Sequence, residues 1–102
     1  MNPSIQRAQE RLSELLEQTE VTAGLLVRVR GKILTLVRVE TGPGGKPDVD
    51  PRVRLTHLGG DRFGVSVLRH TGTWERTPFT GTIDEVVQII IETMQHLVAD
   101  WP

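Results

Sequence analysis

Apolar residues recur at helical spacing in two stretches, one near each end of the chain. The first stretch predicts a helix over about residues 3–18, with Asn2 as its N-cap and Pro3 in its first turn. The second begins at Thr82 and Glu85, which have the spacing of a capping box, and continues to the end of the chain. The apolar positions are Ile5, Ala8, Leu12, Leu15 and Leu16 in the first helix, and Ile83, Val86, Val87, Ile90, Met94, Leu97, Val98 and Trp101 in the second.

Between the two helices, apolar and polar residues alternate at the spacing of β-strands. A two-residue turn at 31–32 and a three-residue loop at 59–61 each produce a hairpin with one apolar face and one polar face. The predicted apolar pairs are Val29 with Leu34, Val27 with Leu36, His57 with Phe63, Leu55 with Val65, and Val53 with Val67.

A third hairpin, through residues 71–72, extends this sheet. Its register sets Trp74 opposite Arg69 on the apolar face, where the guanidinium can lie over the indole, and its last strand should end at Pro78. We therefore expect an α+β fold, in which about five antiparallel strands form one sheet and both terminal helices pack on one face of it as a two-layer sandwich.

The length of 102 residues suits a single domain that spans the whole chain, residues 1–102. Within it, the residues at about 41–51 include three glycines, three prolines and only one apolar residue, Val49. Glycine and proline in this density favour turns over strands or helices, so the segment predicts a flexible loop.

Several apolar residues remain uncovered in this arrangement. Leu26, Val37 and Val39 would fall on the polar face of the sheet, and Ile89 and Ile91 widen the apolar stripe of the second helix beyond one face. Exposed apolar patches mark surfaces that a partner covers. The leading functional prediction is therefore a small non-enzymatic protein-interaction module that self-associates, for example as a homodimer, with these five residues at the interface.

The charges are segregated along the chain, although the formal net charge is only −1. Residues 25–76 hold ten Lys or Arg against five Asp or Glu, whereas both flanks are acidic. Since the middle is predicted as sheet, arginines collect on the sheet face that the helices leave uncovered, where guanidinium groups can bind phosphate or carboxylate oxygens. The candidate anion-binding residues are Arg28, Arg30, Arg52, Arg54 and Arg62.

This face makes binding of a polyanion or a nucleic acid the second functional prediction. Aromatic residues add no support for nucleic acid, because the chain has only two Trp and two Phe, and Phe63 and Trp74 are both predicted to point into the core. The alternative is that this face binds no ligand and is charged only because an open sheet face is exposed to solvent.

No motif in the sequence predicts catalysis, a metal or a cofactor. The absence of cysteine excludes disulfides, thiolate zinc sites and cysteine nucleophiles. His57, His70 and His96 lack motif partners for acid–base chemistry, and Glu92 with His96 would give a metal only two ligands. We predict no catalytic, metal-binding or cofactor-binding residues, and an enzyme with an unrecognised site is the third alternative. Without a membrane-spanning apolar run or a secretory N-terminus, the expected location is cytoplasmic, with no membrane partner.

Overall fold

The computed structural model describes residues 3–69 and 71–95, in which five strands lie between two helices. The strands form one antiparallel sheet in sequence order, so each strand pairs with its neighbours along the chain. This confirms the predicted α+β fold. The elements are α1 (Pro3–Glu17), β1 (Leu26–Arg30), β2 (Ile33–Thr41), a 3₁₀ helix (Pro43–Gly45), β3 (Pro47–Gly59), β4 (Arg62–Leu68), β5 (Trp74–Gly81) and α2 (Ile83–Thr93). Of the residues named above, Asn2, His70, His96, Leu97, Val98 and Trp101 lie outside the described ranges.

The hydrophobic core lies between the two helices and one face of the sheet. Both helices place the described part of their predicted apolar stripes in it, and the facing strands contribute their inward aliphatic side chains. α2 ends at Thr93, before the predicted end of the stripe. Fully burying one such side chain contributes about 1.5 to 3 kcal/mol, so this contact between the layers stabilises the sandwich. Core residues that are at most 1% exposed are Ile5, Leu12, Leu16, Leu34, Leu36, Val53, Leu55, Val65, Val86 and Ile90.

α2 begins at the predicted capping box, and an ion pair joins its first turn to α1. Thr82 Oγ1 accepts a hydrogen bond from the backbone N–H of Glu85 (3.3 Å), and Glu85 Oε1 accepts one from the backbone N–H of Thr82 (3.0 Å). Arg11 donates through Nη2 (2.7 Å) and Nε (3.2 Å) to the two carboxylate oxygens of Asp84. The cap and the ion pair fix where α2 starts relative to α1.

The registers of the first two hairpins agree with the prediction, but the third hairpin differs by one residue. Trp74 lies opposite Leu68 and not, as predicted, opposite Arg69. Gly72, at φ 87°, closes the turn, and its N–H donates to the carbonyl of Arg69 (2.8 Å). Since successive side chains of a strand point to opposite faces, the slip moves Trp74 to the sheet face away from the helices, which we call the open face.

β5 also continues past its predicted end at Pro78. Three residues of β5, from Thr77 to Phe79, lie opposite the single residue Val65 of β4, which makes a bulge. Proline is tolerated there because a bulged residue has no regular ladder hydrogen bond to make. Thr77 Oγ1 instead donates to the carbonyl of Val65 (2.8 Å), which keeps the two strands joined.

β3 begins at Pro47, earlier than the sequence pattern indicates, and so shortens the loop between β2 and β3 to residues 42–46. The register between β2 and β3 shifts by one residue between Leu36 and Val37. Leu36 pairs with Val53 and the next residue, Val37, pairs with Pro51, so Arg52 is an extra residue of β3 without a partner in β2. Pro51 has no N–H to offer the ladder, which favours an irregularity at this point.

The bulge in β3 turns Arg52 toward the helix-covered side of the sheet. Arg52 is 5% exposed, and its Nε lies 2.9 Å from Oδ2 of Asp50. Asp50 lies opposite Arg38, which reaches the connection between α1 and β1. The prediction that Arg52 joins the open face is therefore wrong, and the extra residue in the strand is the reason.

Candidate functional site

A row of alternating guanidinium and hydroxyl side chains crosses the open face. In the pairings of the sheet, Arg28 faces Thr35, Thr35 faces Arg54, Arg54 faces Ser66, and Ser66 faces Arg76. We call these five residues the arginine row. Neighbouring strands are about 4.8 Å apart, so the backbones of successive arginines in the row are about 10 Å apart. Three positive charges are thus spread evenly over the full width of the sheet.

The outer arginines of the row are available to a ligand. Arg28 and Arg76 are exposed, and within the described residues neither side chain makes a hydrogen bond or an ion pair. No acidic residue belongs to the row. Among the described residues, no carboxylate therefore pairs with either outer charge of the row.

At the centre of the row, Arg54 stacks on the indole of Trp74. Its Cζ lies 4.2 Å from the ring centroid, a distance at which the ring's negative face attracts a guanidinium. Arg54 Nε is buried and has no hydrogen-bond partner in the part of the chain that the structure describes. The predicted stacking of Arg69 on Trp74 does not form, since Arg69 pairs with Glu75 on the other face.

A recessed pocket of about 110 Å³ adjoins the arginine row on β3, β4 and β5. At the rim, Arg62 Nη2 donates to Thr80 Oγ1 (3.1 Å). Gly64 and Leu58 line the pocket side by side, and a Cβ at Gly64 would lie 3.4 Å from Cδ1 of Leu58, an ordinary van der Waals distance. The lining residues are Thr56, Leu58, Gly64, Ser66, Arg76, Thr77 and Thr80.

The sequence-predicted anion-binding residues divide between the two sides of the sheet. Arg28, Arg30 and Arg54 lie on the open face, Arg62 reaches Thr80 on the same face, and Arg52 is buried on the other. Arg76 was not among the predicted residues, because the register predicted for the third hairpin turned it inward together with Trp74. Gly72 was the sequence signal for the correct register. A glycine readily adopts a positive φ, and this allows a turn one residue longer than the two-residue turn that was predicted.

The predicted apolar patch on the sheet is smaller than expected. Leu26 and Val39 are exposed on the open face, at 54% and 41%, but Val37 is only 2% exposed. Val37 lies between Leu26 on β1 and Pro51 on β3, which flank it on both sides. The prediction that Val37 is exposed is therefore wrong.

The other two predicted interface residues lie in the helix layer. Ile89 and Ile91 are half-buried, and Ile91 packs against the core. With Leu15 of α1 and Val87 they line an open groove of about 590 Å³ between the helices. They are therefore on the opposite side of the molecule from Leu26 and Val39, and the five residues do not form one surface.

The helix layer carries charge of the opposite sign to the open face. The Arg11 guanidinium donates to Asp84 and holds the pKa of that carboxyl below its ordinary value. The hydrogen bond from the Thr82 backbone likewise lowers the pKa of Glu85. Both carboxyls are therefore ionised at neutral pH. Exposed acidic residues of this layer are Glu10, Glu14, Glu17, Asp84, Glu85 and Glu92.

The described residues contain no group of three or more His, Cys, Asp or Glu that could hold a metal ion. His57 Nε2 lies 2.7 Å from the carbonyl oxygen of Gly60, and its ring packs 5.0 Å from that of Phe63, so its contacts are structural. Over residues 3–69 and 71–95, no helix is long and apolar enough to cross a membrane.

Comparison with known proteins identifies no relative. No protein-family model matches the chain, and the comparisons with curated proteins and with solved structures find no match.

Proposed function

We propose that the protein is a non-enzymatic binding module for phosphate-rich polyanions, and that the open face of its sheet is the binding surface. The observation that carries this proposal is the arginine row, which places one functional side chain on each of the five strands. Guanidinium groups form paired hydrogen bonds with phosphate oxygens, and the hydroxyls between them add further donors.

Single-stranded nucleic acid is the polyanion that this face suits best. Proteins that bind single strands combine a positive track for the backbone with aromatic side chains for the bases. Trp74 lies on the open face beside the row and is half-buried, and the Arg54 guanidinium covers one face of its indole, so a base would contact the part of the ring that is left exposed. The acidic helix layer on the other side would repel a polyanion and so favour one orientation of binding.

The test is fluorescence anisotropy of a labelled single-stranded oligonucleotide over a range of salt concentrations. Three contacted phosphates predict a slope of about −2 in log affinity against log salt, and Arg76→Gln or Arg28→Gln should each make that slope shallower by about 0.7. Arg7→Gln is the matched control, because it removes the same charge from an exposed position on α1. Absence of binding at low salt, or equal effects of all three substitutions, would refute the proposal.

Self-association is a second candidate function, favoured by the exposure of Leu26 and Val39 at one end of the open face. Light scattering should then show a mass above that of a monomer as concentration rises, and Leu26→Lys should restore the monomer mass. Leu58→Lys is the control, since Leu58 is 52% exposed at the other end of β3. A monomer mass at every concentration would contradict this candidate.

A further inference from the structure

The pocket beside the arginine row presents hydrogen-bond donors and no carboxylate. Among the described residues, Thr56, Ser66 and Arg76 have no hydrogen-bond partner for their side chains. The Thr80 hydroxyl accepts a hydrogen bond from Arg62 and keeps its own proton for donation. No Asp or Glu lines the pocket. Such a set of donors, with two guanidinium groups beside it, suits an oxyanion and disfavours a cation.

The size of the pocket suits one small group. Its volume of about 110 Å³ is several times the roughly 10 to 15 Å³ of cavity space that one water molecule needs, so a group of the size of a phosphate fits. Gly64 lies inside β4 and outside the left-handed region, so the backbone does not require a glycine there. A glycine inside a strand often marks a place where another group approaches closely, and here Gly64 lines the pocket without a side chain, so a larger side chain at this position would take up its space.

We propose that this pocket binds a phosphomonoester, namely the terminal phosphate of a nucleic-acid strand that lies along the arginine row; this inference rests on the proposed function. A recessed pocket admits a group with one attached chain, whereas an internal phosphodiester continues in two directions. Ser66 and Arg76 belong to both the pocket and the row. A strand whose end sits in the pocket therefore passes directly onto the row.

The test compares one oligonucleotide in three forms, with a 5′-phosphate, with a 3′-phosphate and with neither. One phosphorylated form should bind about tenfold more tightly than the unphosphorylated form, because charge-assisted hydrogen bonds to a terminal phosphate are added. Thr80→Val removes a donor without changing the shape of the side chain, and Gly64→Val fills the pocket. Gly64→Val should abolish the advantage of the terminal phosphate, Thr80→Val should reduce it, and both should leave binding of the unphosphorylated form unchanged.

An NMR titration with inorganic phosphate gives an independent measurement, with amide shifts expected at Thr56, Gly64 and Thr80. Equal affinity for the three oligonucleotides, with no shifts at these residues, would overturn the phosphomonoester site. If the oligonucleotides then still bound with an affinity that falls as salt rises, the proposed function would keep its support. If phosphate causes these shifts, Gly64→Val abolishes them and the protein binds no oligonucleotide, the pocket is a phosphate site and its link to a nucleic-acid strand is overturned.

Discussion

Replacement of Arg38 should destabilise the protein far more than replacement of Arg28 on the open face. Arg38 is 6% exposed, and its Nη1 and Nη2 donate to the backbone carbonyls of Ala23 (2.6 Å) and Val21 (2.7 Å). A hydrogen bond from a charged group contributes about 1.5 to 3 kcal/mol, and ordering the arginine side chain costs about 2 kcal/mol. Two such bonds, less the ordering cost, give a net of about 1 to 4 kcal/mol, so we expect Arg38→Ala to lower the free energy of unfolding by about 2 to 3 kcal/mol, the middle of that range.

Urea unfolding followed by circular dichroism measures this loss, and thermal unfolding should show a fall in Tm of about 10 to 20 °C. Arg28→Ala, at an exposed position, should stay within about 0.5 kcal/mol of wild type. Arg38→Lys should fall between the two, because an ammonium group is a point donor and does not reproduce the fork that reaches both carbonyls. If Arg38→Ala matched the Arg28→Ala control, the two hydrogen bonds would contribute nothing and the reasoning would fail.

Three further predictions concern the helix start, the core and an ion pair, and unfolding measurements test each. Thr82→Ala removes the N-cap acceptor of α2 and should cost about 1 kcal/mol. Leu55→Ala, at 0% exposure, should cost about 2 to 5 kcal/mol, whereas Leu58→Ala on the same strand, at 52%, should stay within about 0.5 kcal/mol. The pKa of Asp84 is lower in the folded state because of Arg11, so the stabilisation from this pair is complete above the unfolded-state pKa and is lost as the pH falls through the folded-state pKa. Wild type should therefore exceed Asp84→Asn in stability at neutral pH, and the difference should disappear in acid.

The elements that the sequence predicted well are those in which one local signal dominates. The capping box at Thr82 and the apolar stripe after it locate the start of α2, and strict alternation sets the first two hairpin registers, because a slip of one residue would expose every apolar side chain. In these segments local pattern and burial favour the same structure.

The buried arginines could not be predicted from residue type, since arginine is usually exposed. Arg52 and Arg54 flank the apolar Val53, and this alternation predicts both arginines on the polar face. Only the irregular pairing at Pro51 turns Arg52 toward the helices. Arg38 is buried because the connection between α1 and β1 passes over it and offers two carbonyls. That contact joins positions 15 and 17 residues apart, and alternation within a strand carries no information about it.

The candidate site itself depends on the turn between β4 and β5. A hairpin with Trp74 opposite Arg69 would turn both Trp74 and Arg76 toward the helices, and the row would end at β4 with two arginines. With Trp74 opposite Leu68, the same residues reach the open face, the row gains its third arginine, and Arg54 gains an indole to stack on. The aromatic residue whose predicted absence weakened the nucleic-acid hypothesis is therefore supplied by the same one-residue shift that completes the positive charge. The third arginine and the indole each strengthen the site, and the helix layer has neither a row of arginines nor a tryptophan in its described part. We therefore propose that a polyanion binds to the open face and not to the helix layer.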